Sequence, residues 1–176
     1  IFDSNIFEVI KETKGNSPCY LCARMRRGCL YSKAQELGCT KIALGHHFND
    51  VIETILLNMI YNGKFSGMMP ILDSDNFENM ELIRPLYKVK EEAIIKWAKS
   101  NELSFLNCAC RFTEESEEFE NLSKRRQTKQ LIKELKKTNP KADENLFMSM
   151  HNVNLGAIVG WRHRDGEELH SFYEKY

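Results

Sequence analysis

Apolar positions along the chain switch between helical and extended spacing, and the switches mark out a succession of elements. Ile6, Val9 and Ile10 fall on one side of a short helix over 4–14, broken by GNSP at 15–18. Met25, Cys29, Leu30, Ala34 and Leu37 then recur at helical spacing up to Gly38, a natural C-terminal stop. This places Cys22 in the first turn of that helix and Cys19 in the turn before it. TKIALG at 40–45 reads as a short buried strand, followed at once by HHFND and an apolar run over 51–60 that reads as a buried helix. Asn49 or Asp50 is the expected N-cap, and Asp50 with Glu53 has capping-box spacing. A strand, a polar turn and a buried helix make the βα unit of a parallel sheet. Ligands in such sheets bind at the carboxyl ends of the strands, which is where HHFND falls.

Beyond this unit, NGKFSGMMP at 62–70 reads as a loop and ELIRPL at 81–86 as a second strand with Pro85 at its end. Ala93, Ile94, Trp97 and Ala98 space an amphipathic helix over 91–103. LSFLNCAC at 103–110 reads as an extended segment, and 119–137 as a helix ended by Asn139 and Pro140. A further short helix is expected over 143–152. The tail after Asn154 carries no assignment.

A chain of 176 residues with 42% hydrophobic and 28% charged content is ordinary for one globular domain. The run Val51–Ile60 is interrupted by Glu53, Thr54 and Asn58 and is too short and polar to span a bilayer, so no membrane association is expected. The first residues are mixed and acidic, unlike a signal peptide. Formal net charge is zero, so total charge gives no argument for nucleic-acid binding. Charge is segregated, however. Arg24, Arg26 and Arg27 cluster after the first cysteines, residues 114–120 are acidic, and 124–141 are basic. Taken alone, the Lys-rich stretch reads as a solvated helix face.

The six cysteines change the picture. Without a secretory signal they argue against a disulfide framework and for a reducing, cytoplasmic setting. Cys19 and Cys22 form a C-x-x-C pair, which brings two sulfurs within reach of one metal ion or cluster. The arginines that follow favour the thiolate form. Cys108 and Cys110 add a C-x-C pair, and together the four thiols fit a Cys₄ zinc site or an iron–sulfur cluster. Cys29, on the apolar stripe of its helix, and Cys39, beside the strand, are expected in the core.

Taken in order, CYLCARMRRG, KIALGHHFNDVIETILLNMIYNGKF, MMP, LIRPL and the cysteine pair at 108–110 resemble the tRNA 2-thiocytidine synthetases, members of the PP-loop ATP pyrophosphatases. The resemblance covers residues 17 to 153. It implies an α/β fold: a Rossmann-like parallel sheet flanked by helices, here the C-terminal portion of the domain. It also implies an ATP-dependent enzyme that activates the carbonyl of an anticodon-loop cytidine in tRNA, releases pyrophosphate and replaces the C2 oxygen with sulfur. The family's [4Fe–4S] cluster, held by three cysteines, maps onto Cys19, Cys22 and Cys108, with one iron left open for sulfide. Asp50 matches the acidic residue of GHH-x-x-D, placed to bind Mg²⁺ or assist adenylation. Arg26 matches a basic position that can stabilise charge on phosphate or on the reacting carbonyl. Gly45, His46 and His47, and Arg84, are the positions expected to approach the nucleotide. For Arg84 an ion pair within the protein is an equal alternative. The expected partners are tRNA and a sulfur donor, either a cysteine desulfurase or sulfide, with a homodimer as one option.

The chain departs from that family in three respects. It contains no Gly-rich SGGxDS-like phosphate loop, whose amides would cradle ATP phosphates, and it starts at Ile1 rather than Met. The expectation is that residues 1–154 are a PP-loop thiolation domain whose N-terminal phosphate-loop portion is missing, with 155–176 a C-terminal tail. Asn49 stands where many relatives have a second Asp. The second cysteine pair is C-x-C where better-known relatives have C-x-x-C, which leaves Cys110 without an assigned role. Three rival readings stay open: a 2-thiouridine synthetase on the same scaffold, a non-catalytic zinc-stabilised RNA- or nucleotide-binding module, and a redox pair at Cys19/Cys22.

Overall fold

The computed structural model describes residues 6, 18–105, 124–162 and 169–172, with 18–23 and 169 described by their backbone alone. These residues belong to two compact units. One takes in residues up to Val51 together with Met68–Asn107, and the other takes in Ile52–Gly67 and the chain from Cys108 onward.

The first unit opens with helix α1, Pro18–Glu36. Proline suits the first helical position, because its missing N–H would have no helical partner there. The helix therefore starts earlier than the sequence pattern suggested, taking in Cys19 as well, with Cys19 in its first turn and Cys22 in its second. It ends as expected at Gly38, whose φ of 70° is the left-handed conformation glycine adopts without strain. Gly38 N–H donates to Gln35 O and Cys39 N–H donates to Ala34 O, both at 2.9 Å, closing a Schellman motif.

Strand β1, Lys41–Ala43, follows and pairs in parallel with β3, Glu81–Ile83, in the register Ile42 opposite Leu82. Both strands were legible in the sequence. Strand β2, Ile71–Asp73, was not; it pairs antiparallel with β3, so the sheet is mixed, in the order β1-β3-β2. Helix α2, Phe48–Asn62, begins in this unit, and α3, Glu91–Ser100, follows the turn after β3. Among the described residues Ile6, Phe48, Val51, Met80, Leu82, Tyr87 and Ala98 are the buried side chains here.

Several expectations for this unit are corrected. Cys29 and Cys39 are exposed rather than in the core. The stripe to which Cys29 was assigned also leaves Leu30 and Leu37 exposed, while Tyr31 is half-buried and stacks on Phe77 with ring centroids 4.9 Å apart. That aromatic contact turns the helix away from the face that spacing alone selects. Trp97 is exposed on α3, which buries Ala98 instead. Leu103–Phe105 form no strand, and 106–110 lie outside the described residues.

In the second unit the body of α2 buries Ile52, Ile55 and Leu56, while Met59 and Ile60 are exposed. Helix α4, Lys124–Thr138, and helix α5, Ala142–Ser149, pack as a hairpin with Thr128, Ile132, Ala142 and Phe147 buried. The predicted start of α4 at 119 lies outside the described residues, as does the predicted helix 4–14 apart from the buried Ile6. The unassigned tail holds a 3-10 turn, Leu155–Ala157, and strands β4, Gly160–Arg162, and β5, Leu169–Ser171, paired antiparallel. Among the described residues no helix is long and apolar enough to cross a membrane.

Candidate nucleotide and metal site

The turn between β1 and α2 carries Gly45, His46 and His47 to the carboxyl end of the parallel strand pair. Leu44 N–H donates to Ile83 O at 2.9 Å, extending the β1–β3 ladder one residue past the strands. Arg84, the residue after β3, therefore leaves the sheet beside Leu44 and Gly45. The structure thus brings Gly45, His46, His47, Asp50 and Arg84 to one end of the sheet, as the sequence argument required.

The first turn of α2 is built differently from the expectation. The helix starts at Phe48, so His47 is its N-cap and Asp50 its third residue. Asp50 Oδ2 accepts the backbone N–H of His47 at 3.0 Å, the return arm of a capping box. His47 Nδ1 lies 3.4 Å from the same oxygen, an ion-pair separation rather than a hydrogen bond, and makes no hydrogen bond of its own. Both side chains are about one-fifth exposed. The carboxylate sits in the first helical turn, where the helix dipole favours negative charge. Glu53 is no part of the cap. It is buried in the second unit and accepts from Arg125 Nε at 2.9 Å.

Asn49 is occupied elsewhere. Its Oδ1 accepts the N–H of Glu91 at 3.0 Å, which caps the start of α3 in place of the N-cap residue Lys90, whose side chain makes no cap bond. Phe48 N–H donates to Val89 O at 3.0 Å, and Lys90 Nζ sits 5.4 Å from the centre of the Phe48 ring. No local pattern signals this bracing, because Asn49 and Glu91 are 42 residues apart.

Arg84 donates from Nη1 to the backbone oxygen of Met69, and its backbone N–H donates to Pro70 O at 2.9 Å. The MMP segment thereby lines the same end of the sheet. Arg84 Nε is enclosed without a hydrogen-bond partner. Burial lowers the guanidinium pKa, opposed by the nearby Tyr31 and Tyr87 hydroxyls. Tyr87 is in turn pushed up by burial, with Arg84 pulling the other way. An enclosed guanidinium edge lacking an acceptor is costly to leave unsatisfied, and an anionic oxygen is the group that suits it best.

Cys19, Cys22 and Arg26 occupy positions i, i+3 and i+7 of α1 and so share one helix face. Arg26 is exposed on it, as are Arg24 and Arg27 on their own positions. Cys108 and Cys110 lie outside the described residues. Among the described residues no cluster of three His, Cys, Asp or Glu side chains is poised to hold a metal ion. A shallow depression lined by Thr40, Lys41, Asp73 and Glu81 lies at the amino ends of β1 and β3, away from the histidines.

A family model for the PP-loop domain matches residues 12–134, well over half of the chain. The chain belongs to the PP-loop family. This PP-loop chain is 40% identical over 149 residues to the tRNA-cytidine(32) 2-sulfurtransferase of Geobacter sulfurreducens, covering 84% of this chain and 56% of the relative. It is 42% identical over 155 residues to the enzyme of the same name from Burkholderia multivorans, covering 87% and 45% respectively. The chain therefore spans about half the length of the curated relatives it matches. Among solved structures it resembles the U34-tRNA thiolase NcsA from Methanococcus maripaludis, determined with its [4Fe-4S] cluster. The TM-score is 0.61 at 23% identity, over 86% of this chain and 48% of that one, which supports the α/β, Rossmann-like fold of a PP-loop domain.

Proposed function

We propose that this chain is part of an ATP-dependent tRNA thiolation enzyme that converts an anticodon-loop cytidine to 2-thiocytidine. The observation that carries the reading is the 40% identity to a tRNA-cytidine(32) 2-sulfurtransferase, extending over 84% of the chain. A uridine substrate has only the likeness of fold behind it. In this reading residues 1–154 are the PP-loop thiolation domain without a Gly-rich phosphate loop, and 155–176 are a C-terminal tail. The enzyme works in the cytoplasm, with tRNA and a sulfur donor, a cysteine desulfurase or sulfide, as partners; a homodimer is its assembly.

The donor set suits a cluster. Cys19 and Cys22 share a helix face, and soft thiolates are the ligands that iron–sulfur clusters take. We assign Cys19, Cys22 and Cys108 as the three ligands, and Cys110 has no role in this reading. When bound, the cluster supplies the sulfur. At the carboxyl end of the sheet, Asp50 is the group for Mg²⁺, its position held by the His47 N–H. Gly45, His46 and His47 border the nucleotide. Arg84 offers its unpartnered Nε to a phosphate oxygen, and Arg26 offers an exposed guanidinium on the cysteine face of α1. Adenylation joins the C2 oxygen of cytidine to the α-phosphorus of ATP as pyrophosphate leaves. Sulfide-level sulfur, as hydrosulfide, then bonds to C2, the C2–O bond breaks, AMP departs with the oxygen, and the hydrosulfide proton is released.

The test is to purify the protein without oxygen and assay iron and acid-labile sulfide. Near-equal amounts of both are expected, with Cys108→Ala removing most of each. Stoichiometric zinc without sulfide would sink the reading in favour of a zinc-stabilised module.

A further inference from the structure

We infer that the outward face of helix α4 is a docking surface for the phosphate backbone of tRNA. The inference rests on the thiolation reading for the identity of the polyanion. Helix α4 carries seven Lys or Arg residues and one Glu in fifteen positions, on a chain whose formal net charge is zero. It buries Thr128 and Ile132 in the second unit, with Leu131 and Leu135 exposed.

The cations are sorted by the packing. Arg125 is drawn to the buried Glu53, and Lys136 donates to the buried Asp143 at 2.8 Å. Lys124 sits over the ring of Tyr61, 5.0 Å from its centre. Arg126, Lys129, Lys133 and Lys137 form a stripe at i, i+3, i+7 and i+11, within about 80° of the helix circumference and over about 17 Å of its axis. Arg126, Lys133 and Lys137 are exposed and Lys129 half-exposed.

Arg126 and Lys129 also have partners within the protein, and Lys137 pairs with Glu134 at 2.6 Å. That last pair is on the surface, where competition from water and salt leaves little net stabilisation. A linear file of cations on a rigid rod matches a linear file of phosphates, which is read by charge and spacing and not by base. An anionic bilayer would instead call for an exposed apolar face beside the cations, and the exposed Leu131 and Leu135 lie about 120° or more round the helix from the stripe.

The test uses the full chain carrying Arg126→Gln, Lys133→Gln and Lys137→Gln, with tRNA binding measured across a salt series. We expect about tenfold weaker binding near physiological salt and a log–log salt slope reduced by about 2 to 3. The double variant Lys133→Gln/Lys137→Gln leaves the partners of Arg126 in place and should lose about two-thirds of that slope change. A control with Lys88→Gln, Lys96→Gln and Lys99→Gln removes equal charge from the first unit and should bind as the parent does. Triple and control variants that bind alike would overturn the docking surface while leaving the thiolation reading standing. A parent protein that fails to bind tRNA at all would overturn both. Loss of binding to phosphatidylserine vesicles without loss of tRNA binding would reassign the stripe to a membrane.

Discussion

Asn49 Oδ1 caps helix α3 by accepting the N–H of Glu91 at 3.0 Å, so the GHHFND segment holds the start of α3 as well as presenting its histidines. Asn49→Ala removes this acceptor and should cost about 1 kcal/mol in denaturant unfolding, the usual cost of a lost cap. Asn49→Asp keeps an acceptor at a helix N-terminus and should stay near parent stability. An Ala variant as stable as the parent would show that water replaces the bond.

Asp50 serves both the cap and, in the proposed function, the metal. Asn at this position retains an oxygen for the His47 N–H but loses the charge. Asp50→Asn should therefore unfold within about 1 kcal/mol of the parent, yet lose Mg²⁺-dependent adenylation in the complete enzyme. Asp50→Ala should lose both. Adenylation that survives in Asp50→Asn at the parent rate would remove Asp50 from the catalytic set.

Cys29 follows Cys22 by seven residues on α1, about 10 Å along the axis, too far to share one cluster with it. Cys29→Ser and Cys39→Ser, both at exposed positions, should leave iron and sulfide content unchanged in anaerobic preparations. Cys22→Ser should abolish both. Iron lost on changing Cys29 would mean that the ligand set is wrong.

Glu53 and Arg125 are unequally placed, with Glu53 6% exposed and Arg125 48%. Arg125→Ala would strand the buried carboxylate and should cost about 1–3 kcal/mol, discounted from the fully buried case because the arginine is half in water. Arg125→Ala/Glu53→Gln should recover part of that loss. Strict additivity in urea unfolding would mean that the two side chains do not interact.

Glu134 is held below the ordinary carboxylate range, first because Lys137 hydrogen-bonds to its charged form; desolvation opposes this, and the charge of Lys137 and a bond from Gln130 add smaller lowering effects. A depressed folded pKa contributes stability above the unfolded value, and that contribution is lost as pH falls through the folded one. An NMR titration should show Glu134 protonating below the other exposed glutamates, and Lys137→Gln should move it back towards them.

Periodicity and local chemistry alone determined most of what is regular in this chain. The apolar file through Val51, Ile52 and Ile55 could only be a buried helix, Gly38 could only end one, and TKIALG before HHFND marked the strand end where a ligand belongs. The motif order through the cysteines and GHH-x-x-D carried the family. Tertiary structure decided what depends on partners distant in sequence. Strand β2 has three residues and no pattern of its own, and exists because β3 offers it an edge. The stack of Tyr31 on Phe77 covers one side of α1, and Cys29 on the same helix is left exposed. Asn49 is drawn to Glu91, and Glu53 to Arg125, because buried polar groups must find partners wherever the fold brings them. Spacing along a chain records which face a residue is on, but only packing decides what that face meets.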